Sequence, residues 1–162
     1  MSTGLVGRQS ELDALRSVVA GVAGGAPAAV LLTGVPGVGK TRLAREVLDA
    51  ASSSGFRSVS GRAHDIGQDV AFAPLVAALG PALRDAGAAE RAALIADLPQ
   101  LALLFAGLGL GEPAPLGDPA LERARLFDGL SRLVDRLARE RPLALLIDDV
   151  HAADPSTITV LH

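Results

Sequence analysis

The sequence contains no cysteine, tryptophan or tyrosine. Without cysteine there is no disulfide and no thiolate metal site. Four phenylalanines are the whole aromatic complement. A core must therefore be built from Leu, Val, Ala and Ile, and with 49% apolar residues there is enough material for one. The net charge of −3 gives no basic footprint for nucleic acid. Long apolar runs are missing too. Residues 101–110, the most apolar late stretch, are too few to span a bilayer and contain glycines, so they read as a buried helix and turn. The N-terminus lacks the apolar core of a signal peptide. These absences predict a soluble cytoplasmic protein, and 162 residues are one domain's worth of chain.

Lysine is almost absent as well. There is one, Lys40, beside fourteen arginines. It sits in Gly34-Val35-Pro36-Gly37-Val38-Gly39-Lys40-Thr41, which fits the phosphate-binding loop pattern G-x-x-x-x-G-K-[ST] at every defined position. A compact ammonium slips between phosphates where a planar guanidinium does not. The apolar run at residues 28–33 predicts a strand before the loop. Residues 42–50 predict a helix after it, with Ala44, Val47, Leu48 and Ala51 on one face. In that arrangement glycines let successive N–H groups turn inward at phosphate oxygens, and the helix N-terminus adds partial positive charge. Lys40 would reach the β- and γ-phosphates, and the Thr41 hydroxyl would ligate Mg²⁺.

Before this motif, Leu5-Val6-Gly7-Arg8 leads into a helix at residues 10–22 striped by Leu12, Leu15, Val18, Val19 and Val22. Gly24-Gly25-Ala26-Pro27 ends it. After the motif, residues 52–55 stop the helix, and the alternating polarity of residues 56–61 predicts a strand. Strand, helix, strand predicts a right-handed βαβ crossover and a parallel sheet. Residues 62–70 read as polar loop, with His64 and Asp65 solvated rather than joined in a metal or acid–base pair. Three short helices are predicted at 74–84, 88–98 and 100–107, broken by Pro81 and Pro99, as packing or a lid. Residues 111–117 form a linker. Asp118-Pro119 then caps a helix reaching Glu140, which buries Leu126, Phe127, Leu130, Leu133, Val134 and Leu137. Its arginines (123, 132, 136 and 139) alternate with acids and read as a solvated face.

Residues 143–149 form a near-continuous apolar run ending in two carboxylates. The run suits a strand buried on both faces of a parallel sheet, and its C-terminal end is where ligands bind in such sheets. Asp148 fits a Walker B ligand acting through Mg²⁺ or its waters, and Asp149 is placed to polarise an attacking water. Asp154-Pro155-Ser156 caps a final helix.

Taken together, Val6-Gly7-Arg8, the loop from Gly34 to Thr41, and the stretch from Leu145 to Ser156 resemble the AAA-type ATPase domain of STAND proteins. They are most similar to the large ATP-binding LuxR-type transcriptional regulators, as are Gly61-Arg62 and Phe72-Ala73-Pro74-Leu75. The resemblance covers nearly the whole chain. It implies an α/β fold, a P-loop NTPase three-layer sandwich with a parallel sheet, spanning residues 1–162. It implies ATP or ADP with Mg²⁺ as ligands. Arg8 would lie near the adenine. The nucleotide set is Arg8, Gly34, Val35, Pro36, Gly37, Val38, Gly39, Lys40, Thr41 and Arg42, the metal set Thr41 and Asp148, and the catalytic set Lys40 and Asp149. Ala152 stands where the family carries an aromatic, which implies a packing change and not lost chemistry. The family also places a later, sensor-bearing strand between the P-loop strand and the Walker B strand. This sequence stops before it. The expectation is an N-terminal portion of a longer protein, truncated after the Walker B strand, with an empty slot, unpaired strand edges and marginal stability.

The function predicted on this footing is a nucleotide-dependent switch from a signalling regulator, with slow or no hydrolysis in isolation and no direct contact with nucleic acid or membrane. Self-association is compatible with it. A motor or loader ATPase on DNA or protein shares the P-loop, but its arginine finger and sensor would lie beyond His162. A small-molecule kinase lacks a recognisable acceptor site here. The remaining reading is a poorly folding fragment that binds little.

Overall fold

The computed structural model describes residues 7–64, 70–108, 111 and 113–161. Val6, Asp65, residues 109–110 and His162 lie outside them. In chain order the elements are α1 (Gln9–Ala23), α2 (Lys40–Ser53), β1 (Arg57–Arg62), α3 (Ala73–Asp85), α4 (Ala88–Ile95), α5 (Pro119–Glu140), β2 (Leu143–Asp148) and α6 (Pro155–Leu161). Short 3-10 turns occupy Pro99–Leu103 and Val150–Ala152. The two strands run parallel, with Arg57 opposite Leu143 and Arg62 opposite Asp148. The result is a mixed α/β chain around a small parallel sheet.

The main core belongs to the helices that follow β1. Leu75, Leu79 and Leu83 recur every four residues on α3, and Leu130, Leu133 and Leu137 line one side of α5; all six are fully buried. Leu98, Leu101 and Phe105 close the space between them, and Val59 of β1 joins the same cluster. The start of α3 lies very close to β1. A Cβ added at Gly61 would fall 2.1 Å from the Pro74 carbonyl oxygen, so only glycine allows this approach. From the other parity of β1, the Ser58 hydroxyl donates to Leu48 O of α2 at 3.1 Å.

Several sequence expectations hold with shifted ends. The first helix gains a residue at each end, and its stripe buries Leu12 fully while Leu15, Val18, Val19 and Val22 are half-buried. Asp118 caps α5 by accepting from Ala120 N at 2.8 Å. Asp154 caps α6 through Thr157 N at 2.9 Å. The helix after the phosphate loop starts at Lys40, two residues early, and buries Leu43 besides Ala51.

Other expectations fail. Residues 28–33 are not a strand: Val30 is 52% and Leu31 71% exposed. A strand needs a neighbour for its backbone groups, and the sheet holds only β1 and β2 among the described residues. The predicted βαβ crossover through α2 is therefore not formed, and the parallel pairing joins β1 to β2 instead. With one neighbour, β2 is half-buried along its length rather than covered on both faces. Pro81 sits inside α3 instead of breaking it, on the exposed side where its missing N–H disturbs no core contact. The second predicted short helix stops at Ile95, and the third contracts to the 3-10 turn at Pro99–Leu103. The arginines of α5 are not simply solvated. Arg136 donates to the carbonyls of Leu94 at 3.0 Å and Ala96 at 2.6 Å, closing the open end of α4, and with Arg132 it also pairs with Asp97.

Candidate functional site

The phosphate loop is exposed from Gly34 to Gly37 and half-buried from Val38 to Lys40. Gly39 takes φ +92° as the N-cap of α2. Lys40 Nζ donates back to the carbonyls of Gly34 at 2.9 Å and Val35 at 3.2 Å. The ammonium thus lies over the loop, where incoming phosphate oxygens would exchange with these carbonyls. Arg42 lies exposed in the first turn of the same helix.

The decisive long-range contact joins this loop to β2. Thr41 Oγ1 donates to Asp148 Oδ1 at 3.0 Å, across 107 positions of sequence. Asp149 N donates to the same oxygen at 3.1 Å. The other carboxylate oxygen of Asp148 is buried without a hydrogen-bond partner among the described residues. An orphaned carboxylate oxygen beside a hydroxyl is a hard-oxygen donor set, and it fits Mg²⁺. No cluster of three or more His, Asp or Glu ligands occurs among the described residues. Phosphate oxygens and water would complete the shell, as is usual for this ion.

Asp149 follows in a left-handed conformation, φ +52°, which turns its side chain off the strand line. Arg62, at the end of β1, holds it: Nε donates to Asp149 Oδ2 at 2.8 Å and Nη2 at 2.6 Å. This bond, above all, holds the Asp149 carboxyl below the ordinary carboxylate range, with smaller help from His151 and Lys40. A carboxylate so held is a weaker base than a free one, and both bonds fall on Oδ2.

Of the predicted residues, the structure gathers Lys40, Thr41, Asp148 and Asp149 around one end of α2. The Arg8 side chain also reaches the loop, at a backbone carbonyl: Nη2 donates to Val38 O at 3.1 Å. The partnership of Arg62 with Asp149 escaped residue-level reading. Its signal lies in the register of β1 against β2, which places Arg62 opposite Asp148. His64 is exposed, as expected, and lines a cavity of about 470 Å³ with Arg45, Ser60, Arg62 and Asp148.

A family model described as an AAA ATPase domain matches residues 4–162. The chain belongs to this family. Comparison with curated proteins and with solved structures gave no match. Membership implies that this AAA domain binds nucleotide, usually with Mg²⁺. No helix among the described residues is long and apolar enough to cross a membrane.

Proposed function

We propose that residues 1–162 act as the ATP- or ADP-binding domain of a STAND-type signalling ATPase, a cytoplasmic switch of the kind found in large ATP-binding LuxR-type regulators. The Thr41–Asp148 contact carries the nucleotide part of this reading, because it brings a hydroxyl and a carboxylate suited to Mg²⁺ together beside the phosphate loop. In this account the backbone of Gly34 to Thr41 cradles the phosphates, Lys40 bridges the β- and γ-phosphates, and Thr41 with Asp148 holds the metal. Asp149 orients the attacking water, its basicity lowered by Arg62. The Arg62–Asp149 pair supports slow turnover, as expected of a switch rather than a fast hydrolase. A three-layer sandwich is supported by the opposite parity of Ser58, which meets α2, and Gly61, which meets α3.

The test is the metal dependence of binding. ADP should bind more tightly with Mg²⁺ than without it, and Asp148→Asn should remove most of that difference while leaving metal-free binding nearly unchanged. Equal binding with and without Mg²⁺ in the unaltered chain would contradict the metal assignment.

A further inference from the structure

Glycines give the phosphate loop its shape, and they also leave it free to take other shapes. The peptide unit between Val38 and Gly39 is the clearest case. Turning it over by half a turn would carry the φ of Gly39 from +92° to about −90°. Glycine occupies both regions about equally. Nothing lies within 4 Å of a Cβ built at Gly39, so glycine is needed there for its backbone conformation and not for want of space. Within the loop the backbone offers a long bond from Val38 N to Val35 O, at 3.4 Å. The sequence of the loop thus does not by itself decide which way this peptide faces.

Arg8 does. Its Nη2 donates to Val38 O at 3.1 Å in a part-buried contact. In a trans peptide the carbonyl and the following N–H point in opposite directions. Drawing the Val38 carbonyl toward Arg8 therefore turns the Gly39 N–H away from Arg8. Polarisation of the carbonyl by a cation also makes that N–H a stronger donor. Arg8 is itself anchored. Its carbonyl accepts from Leu12 N at 3.0 Å at the start of α1, and its Nη1 lies 3.3 Å from Glu11 Oε1. Ser10 Oγ donates to Glu11 Oε2 at 2.9 Å and steadies that carboxylate.

We propose that Arg8 is a positioning residue that locks the Val38–Gly39 peptide with its N–H turned toward the bound phosphate, so that α1 presets the cradle. The inference rests on the nucleotide-binding reading above. It assigns Arg8 to the phosphates through the backbone, not to the adenine.

Tripolyphosphate separates these roles, because it carries the phosphates without the base. Affinities of Mg²⁺–ATP and Mg²⁺–tripolyphosphate are measured for the unaltered chain, Arg8→Ala, Arg8→Lys, Glu11→Gln and Lys40→Ala, with circular dichroism to check folding. Arg8→Ala should weaken both ligands by the same factor, about tenfold. Arg8→Lys, which can still donate to Val38 O, should recover part of the loss, and Glu11→Gln should change little. Weakened ATP with unchanged tripolyphosphate would overturn the proposal in favour of a contact with the base, and no change in either ligand would also overturn it. Lys40→Ala binding both ligands as well as the unaltered chain would sink the nucleotide reading instead. The Gly39 amide resonance of the ligand-free chain then decides the role of Arg8 alone. A shifted or broadened peak in Arg8→Ala, moved back toward its original position in Arg8→Lys, supports the lock, and an unmoved peak in Arg8→Ala contradicts it.

Discussion

Residues 59–137 and residues 26–39 of one chain are organised by different forces. The first region buries a continuous cluster from Val59 to Leu137, with leucines of α3 and α5 fully sequestered. The second buries no residue completely. Polar contacts hold it: Lys40 to Gly34 and Val35, and Arg8 to Val38, with Thr41 to Asp148 just beyond its end. The leucine core resists deformation and carries the end of β1, with Arg62, into place. The phosphate loop stays exposed, open to a ligand and dependent on a few directed bonds.

The largest expected effect separates the regions by stability. Leu133→Ala in the core should cost about 2–5 kcal/mol in urea unfolding. Leu31→Ala, on the exposed segment, should change stability by less than about 0.5 kcal/mol. A comparable loss at Leu31 would mean that residues 28–33 are packed after all. Amide exchange sharpens the same contrast, since amides of 28–33 should exchange fast while those of α3 and α5 are protected.

The next effect concerns the polar anchor that ties α6 to the start of α3 in the first region. Asp154 accepts from Phe72 N at 3.0 Å, from Thr157 N at 2.9 Å and from Thr157 Oγ1 at 2.6 Å. Burial pushes its carboxyl up, but these bonds outweigh burial and leave it below the ordinary carboxylate range. With a folded value below the unfolded one, its stabilisation is complete above the ordinary carboxylate range and is lost as pH falls through the folded value. Asp154→Ala should cost about 1–3 kcal/mol at neutral pH, because it strands the Phe72 amide. It should also flatten the acid limb of the stability–pH curve. An unchanged acid limb would remove Asp154 from that role.

The smallest effect on stability belongs to Arg62. Arg62→Ala should let the Asp149 carboxyl rise toward its ordinary pKa, read by carbon-13 NMR titration, with little change in melting temperature. The sign follows from the depressed value: the ion pair acts above the ordinary carboxylate range and fades as pH falls through the folded value. If the Asp149 pKa stays put, another group holds it down.

These contrasts also mark what sequence reasoning reaches. The phosphate loop is legible because its chemistry is local: glycines, a lysine and a threonine at fixed spacing. Helix α5 is legible because Asp118 and Pro119 start it and its leucines repeat on one side. The strand expected at 28–33 is not observed, since apolar character shows that a segment could pair and not that a partner stands beside it. Pro81 looked like a helix breaker, but packing of Leu75, Leu79 and Leu83 carries α3 through it. Arg62 reads as the start of a polar loop until the register of β1 on β2 sets it beside Asp149. Arg8 drew attention by resemblance, but its hydrogen bond to Val38 depends on how α1 leans on α2.

The central claim is that the exposed phosphate loop, held by a few directed polar contacts, is already a working nucleotide site. Calorimetric titration of Mg²⁺–ATP into this chain and into Lys40→Ala tests it most directly, with circular dichroism showing both folded. The account predicts saturable binding that Lys40→Ala weakens about tenfold or more, as expected for loss of charge-assisted contacts. A folded chain that binds no ATP, or a Lys40→Ala variant that binds it equally well, would contradict the account.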